Sequence, residues 1–316
     1  MAEVALNSWS NSMPIIMPII QIGNDELKAR INSLGSALIS LAENNFDLIE
    51  PDTPTQLYPG SVLAPWPNRI KDCRYKYKNS TYQLPINEPK RGNALHGLVA
   101  YEQWDVIYNS ETEVQLHFLL DKPEIYPGKL SLKSVFKIEN NKLQLEITAK
   151  NIGTKSAPYG ISIHTYLLAG RKLKNDGLYL KIPADKFLEV DENRLLPIGL
   201  RDVLNTSFDF QQGKLISDLF IDHAFKYSIN QPRQVELLNS KGDGAVIEFD
   251  DKSNWIQVHT ADRDGGEDSR VTVAVEPMSC PADAFNSKID LIELAPQAEH
   301  NFTVKIWRKK SNELKT

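Results

Sequence analysis

Apolar side chains in this chain recur at every second position, and almost nowhere at the three- and four-residue spacing of a helix. Residues 141–151 (NKLQLEITAKN), 177–183 (GLYLKIP), 244–250 (GAVIEFD) and 254–260 (NWIQVHT) alternate or run β-branched, and turn residues bound each of them. A period of two turns one face of a strand toward a core and the other toward polar surroundings. Residues 129–138 (KLSLKSVFKI), followed by ENNK and KLQLEI, read as a hairpin. RQVELLN and AVIEF, joined by a turn at Lys241 to Gly244, read as a second. The best helix candidate, between Asp25 and Leu41, is interrupted by Gly35, and two strands fit it as well.

Many strands need many turns, and 18 prolines and 16 glycines are spread through the chain to supply them. No low-complexity linker and no repeat of fixed period divides it. The expectation is therefore all-β: one large antiparallel β-sandwich domain over residues 1–316, with 1–12 as a leader that need not be ordered. With 316 residues, 41% of them hydrophobic, there is enough chain for a large core. A net charge of −5 offers no electrostatic reason to bind nucleic acid or an anionic membrane, so the expected partner is a small neutral or polar molecule. Residues 13–22 (MPIIMPIIQI) are the most apolar run, but a bilayer takes ~20 such residues. No basic residue precedes the run, as a signal peptide would require, so it reads as the approach to a first strand. The two cysteines, Cys73 and Cys280, form no CxxC pair and read as reduced thiols of a cytoplasmic protein.

The candidate chemistry lies in a few polar positions set among these strands. In GISIHTYLL, Ile161, Ile163 and Thr165 point one way, and Ser162, His164 and Tyr166 the other. His164 is then either a sheet histidine satisfied by hydrogen bonds or a group displayed in a polar cleft. In VTVAVEPMS, Glu276 shares a face with Thr272 and Ala274 and precedes Pro277, expected to end the strand's ladder. A carboxylate at the end of so apolar a strand is costly unless paired or used, as an ion-pair partner or as a general base with a pKa altered by burial. His96 sits between Asn93 and Gly97 in loop-like sequence, a setting for function or for a turn histidine bonded to backbone. In APWPNRI, two prolines bracket Trp66 just before Arg69, which suits a sugar site or an arginine fork holding a carboxylate. HExxH, HxH, GxSxG and a Gly-rich phosphate loop are absent. DRDGGED (262–268) lacks the twelfth-position glutamate of an EF-hand and reads as a solvated loop, and His223 should face away from Asp222.

Taken together, five segments in order resemble the aldose 1-epimerase (galactose mutarotase) family: GSVLAPWPNRIKDCRYKY, YQLPINEPKRGNALHGL, APYGISIHTYL, LLPIGLRDVLNTSFDF with LFIDHAF, and AVEPMSCPADAFN. The match runs from about residue 30 to the C-terminus. The resemblance implies a galactose mutarotase-like supersandwich with an open sugar cleft, no metal and no organic cofactor, in a monomer or homodimer. It implies Glu276 as the base that takes the anomeric hydroxyl proton and His164 as the acid that protonates the ring oxygen. His96 and Arg69 would bind and polarise the sugar, and Asp222 would accept hydrogen bonds from its hydroxyls. Asn68, Trp66, Tyr166 and Phe285 would complete the substrate contacts. An ionised Glu276 beside a protonated His164 is expected to stabilise its own working state. The EPMSCPADAFN and HTY segments resemble a bacterial branch acting on less common sugars, including a sulfonated glucose. Arg69, Arg74 and Arg91 lie near the expected cleft in sequence, so an anionic or phosphorylated hexose is an alternative to a neutral one, and a non-catalytic sugar-binding protein is a third reading.

Overall fold

The computed structural model describes residues 19–50, 57–170, 173–262 and 269–311. The leader at 1–12 and all but the first residue of DRDGGED lie outside the described residues.

Alternation builds two large antiparallel sheets. The strand Lys129–Glu139 buries every second side chain, with Leu130, Leu132, Ser134, Phe136 and Ile138 inside. It turns through Asn140 and Asn141, both in the left-handed region, and returns as Lys142–Asn151 with Glu139 opposite Lys142. Asparagine tolerates that conformation better than most residues, which is why ENNK makes this hairpin. The second expected hairpin also forms, with Leu238 opposite Gly244, so the glycine opens the return strand and the turn spans 239–243. The segment between Asp25 and Leu41 is two strands, Leu27–Asn32 and Ala37–Glu43. The helix reading fails there because burial alternates with period two.

Among the described residues one sheet has twelve strands and the other nine, and one apolar cluster draws residues from both, among them Ile22, Val258 and Val275 from the first and Leu116, Phe136 and Phe302 from the second. The only polar side chain on the inward face of Lys129–Glu139, Ser134, is satisfied by Ser36 across the sheets, Oγ to Oγ 2.6 Å. Among the described residues the single α-helix is Ala284–Ser287, and no helix is long and apolar enough to cross a membrane. Cys73 and Cys280 are buried free thiols.

Across the middle of the twelve-stranded sheet lie, in order, Thr165–Leu167, Val273–Met278, Trp255–His259 and Asp222–Lys226. Pro277 does not end its strand. It sits within Val273–Met278, opposite Ile256, so Glu276 is mid-strand rather than terminal.

Candidate functional site

These four central strands floor a cleft of about 340 Å³, the size of a small-molecule site. Its lining includes Asn68, Arg69, His96, His164, Tyr166, Asp222 and Glu276. Trp66 and Phe285 do not line it. Both are buried, and they pack edge to face at 5.6 Å in a neighbouring part of the core. Their aromatic surface is worth more there, out of water, than at an open cleft. Ser162 is likewise buried away from the cleft, pairing with Leu63 and Met278. Arg74 lines a separate surface pocket with Lys71 and Lys76.

Each side chain in the cleft is held by its own segment. His164 falls between two short strands, Ser162–Ile163 and Thr165–Leu167. Its amide donates to Ser61 O at 3.0 Å, and its carbonyl accepts from Gly60 N at 2.8 Å. Gly60 is required at that contact: φ is +68°, and a Cβ would stand 2.0 Å from Leu38 O. His96 follows the strand Asn93–Leu95, which pairs with Arg69–Lys71, and its amide donates to Asn68 O at 2.9 Å. In return the Asn68 amide donates to His96 Nδ1 at 3.2 Å. That bond makes Nδ1 an acceptor, so the neutral ring carries its hydrogen on Nε2. His96 is therefore both of the things the sequence left open, a turn histidine bonded to backbone and a cleft residue.

Arg69 makes the arginine fork that the sequence offered as one reading, and it faces the cleft as well. Its Nε and Nη2 hold the Glu88 carboxylate, at 3.0 Å each to the nearer oxygens. Arg91 Nη1 reaches the same carboxylate at 3.3 Å. Asp222 accepts from Gln257 Nε2 at 2.6 Å. His223, its neighbour, faces the other way and packs against Phe208, the two rings tilted and 4.4 Å apart.

His164 Nε2 and Glu276 Oε1 are 3.4 Å apart, with both side chains almost completely buried. Burial dominates the electrostatics of this pair. It raises the Glu276 carboxyl well above its ordinary value, with help from the charge of Asp222 and against the pull of Arg69. Burial, followed by His259, pushes His164 down to about 3. His96 is likewise pushed well down, by burial and then by His164 and Arg69. The expectation that the pair stabilises its own ionised state is thus reversed: desolvation raises the carboxyl and depresses the imidazole, and both shifts favour the neutral forms. Glu276 Oε2 has no hydrogen-bond partner among the described residues.

His96, His164 and Glu276 present ligand atoms within 4.8 Å of one another, a set that would also suit a divalent metal by count and type. Cleft residues not singled out from sequence include Tyr58, Glu88, Gln257 and His259. Gln257 and His259 were findable: they stand two apart on the polar face of NWIQVHT, as His164 and Tyr166 do on theirs. Glu88 sits in a loop without periodicity, where nothing local marks it.

The aldose 1-epimerase family model matches residues 18–307. A protein of Escherichia coli strain K12 described as uncharacterized protein YihR is 34% identical over 292 residues, covering 91% of this chain and 92% of its own length. The aldose 1-epimerase of the same organism is 27% identical over 194 residues, 60% of this chain and 55% of that protein. Galactose mutarotase of Sus scrofa is 28% identical over 236 residues, 70% of this chain and 67% of its own. Among solved structures, the GalM/aldose epimerase homologue of C. elegans matches with a TM-score of 0.81 at 20% identity, over 93% of this chain and 99% of that one, a likeness of fold.

Proposed function

The chain belongs to the aldose 1-epimerase family and is an enzyme of the isomerase class, and we propose that it interconverts the α and β anomers of a free hexose through Glu276 and His164. The observation that carries the reading is the buried carboxyl–imidazole pair at 3.4 Å in a cleft of sugar size. Ring opening takes the proton from the anomeric oxygen, delivers a proton to the ring oxygen, breaks the bond between C1 and the ring oxygen, and forms the C1 carbonyl. Rotation about C1–C2 and the reverse transfers close the ring on the other face. One base and one acid suffice, and they exchange roles on closure.

The neutral pair and the ionised pair contain the same number of protons. They differ only in whether one proton sits on Glu276 or on His164 Nε2. A sugar whose anomeric hydroxyl donates to Glu276 stabilises the carboxylate, which moves that proton to His164 and leaves it ready for the ring oxygen. His96, kept neutral, offers its Nε2–H as a fixed donor near the ring, and Asp222, oriented by Gln257, accepts from sugar hydroxyls. These steps need proton transfers alone.

A second reading, an anionic hexose bearing phosphate or sulfonate, is favoured by one corner of the cleft. There the single Glu88 carboxylate faces two guanidiniums, Arg69 and Arg91, and the Arg91 side chain is 37% exposed. An anion would bind the exposed guanidinium of Arg91, since Arg69 is held by Glu88 and also feels the charge of Asp222.

Anomer exchange followed by NMR saturation transfer tests both readings on galactose, glucose, glucose 6-phosphate and sulfonated glucose. Exchange that depends on the protein with at least one sugar is expected. A folded protein that binds sugar and exchanges none would overturn the mutarotase reading in favour of a sugar-binding role. Preference for a charged sugar, lost in Arg91→Gln, would select the second substrate class.

A further inference from the structure

We infer that His259 selects the sugar by accepting a hydrogen bond from a hydroxyl remote from the anomeric carbon, an assignment that rests on the mutarotase reading. The argument begins with strand register. Tyr166 and His259 both lie opposite Ala274, and His259 also lies opposite Asp222. One line across the sheet therefore reads Tyr166, Ala274, His259, Asp222. Two residues along the same strands lie Glu276 and Gln257, opposite each other. That offset is roughly 6.6 Å along a strand, about the reach from one end of a pyranose to the other. With the anomeric carbon at Glu276 and His164, the first line meets the far side of the sugar. Ala274 itself is fully buried beneath Tyr166 and Ala261, and Tyr166, Ala261 and His259 line the cleft along this line.

The hydrogen bonding of His259 decides what it offers there. Its Nδ1 is 3.1 Å from the carbonyl oxygen of Ile221, which can only accept. The hydrogen is therefore on Nδ1, and the neutral ring keeps a lone pair on Nε2. Among the described residues Nε2 has no hydrogen-bond partner, while the ring lines the cleft. Phe220 meets the ring edge to face at 6.1 Å, which restrains it. The neighbouring Asp262 is already engaged, by Thr260 Oγ1 on one oxygen and by Arg270 Nη1 at 2.7 Å on the other. At this end of the cleft His259 Nε2 is thus an acceptor open to a donor hydroxyl, on the same line across the sheet as Asp222. A site built this way discriminates against an analogue that lacks the hydroxyl.

The test compares glucose with its 3-, 4- and 6-deoxy analogues on wild type, His259→Leu and His259→Gln. It reads kcat/KM by NMR anomer exchange and Kd by titration calorimetry. Wild type is expected to disfavour one of the three analogues by ~2- to 12-fold, the range for one neutral hydrogen bond. His259→Leu should lose that factor on glucose, through KM and not kcat, and should treat glucose and that analogue alike. His259→Gln, which keeps an acceptor oxygen, should retain part of the discrimination, and it also decides the question if the leucine variant does not fold. The assignment is overturned if wild type shows no discrimination in Kd, if His259→Leu keeps it, or if all four sugars fall together through kcat. Should wild type bind the sugars without exchanging them, the mutarotase reading fails, and the Kd ratios still judge His259 on their own.

Discussion

At the scale of single residues, desolvation shifts the protonation of the proposed catalytic pair toward the neutral forms, and two measurable consequences follow. Between the depressed value of His164 and the raised value of Glu276 the pair holds one proton, so kcat/KM should be flat across this range. The acid limb should lie far below 6.5, toward the value of about 3 that burial imposes on His164. An acid limb near the ordinary histidine value would contradict this account. The second consequence concerns Glu276→Gln, which should lower exchange by ~10²–10⁴-fold, as should His164→Asn. The same glutamine should stabilise the fold. A carboxyl whose folded pKa is raised contributes its stability at low pH and loses it as pH rises through that value. Glutamine never ionises, so the melting temperature of the variant relative to wild type should climb as pH rises above the ordinary carboxyl value of 4.5. A constant difference would mean that Glu276 is not held neutral by burial.

Elements, rather than residues, hold the histidines in place. His96 rides on a loop laced to the segment 64–69: Leu98 N donates to Ala64 O at 2.7 Å and His96 N to Asn68 O at 2.9 Å. Gly97 permits that closeness, with φ at +76° and a site for Cβ only 2.1 Å from Ala64 O. Gly97→Ala should therefore cost more than the ~1–3 kcal/mol of a strained backbone alone, and it should suppress exchange by moving His96. Gly199→Ala is the matched control, since its Cβ would meet nothing within 4 Å, and its denaturation midpoint should stay near that of wild type. Equal loss in both variants, measured by urea unfolding, would sink the argument. The strands themselves were legible from alternation, because the direction of a side chain along a strand is a local property of the backbone. Pro277 departs from what local chemistry suggests. Its missing N–H suggests a strand end, yet the strand continues through it opposite Ile256.

The whole molecule converges groups that start far apart in the chain, from Tyr58 to Glu276, into one cleft. The proposed reaction draws only on these side chains, even though His96, His164 and Glu276 could satisfy a metal by geometry. Dialysis against a chelator should therefore leave the exchange rate unchanged, and loss of exchange restored by a divalent ion would assign those three residues to a metal instead. Period-two alternation and the ordered motifs around His96, His164 and Glu276 determined the β architecture and pointed to a pair of acid–base groups. They did so because strand faces and residue chemistry are written locally. Only the tertiary structure decided that Trp66 and Phe285 belong to the core and that Glu88 holds Arg69. It alone decided that water is excluded from the proposed pair, which raises the carboxyl of Glu276 and depresses the imidazole of His164. Register across strands and exclusion of water are produced by segments distant in the chain, and no local pattern records them.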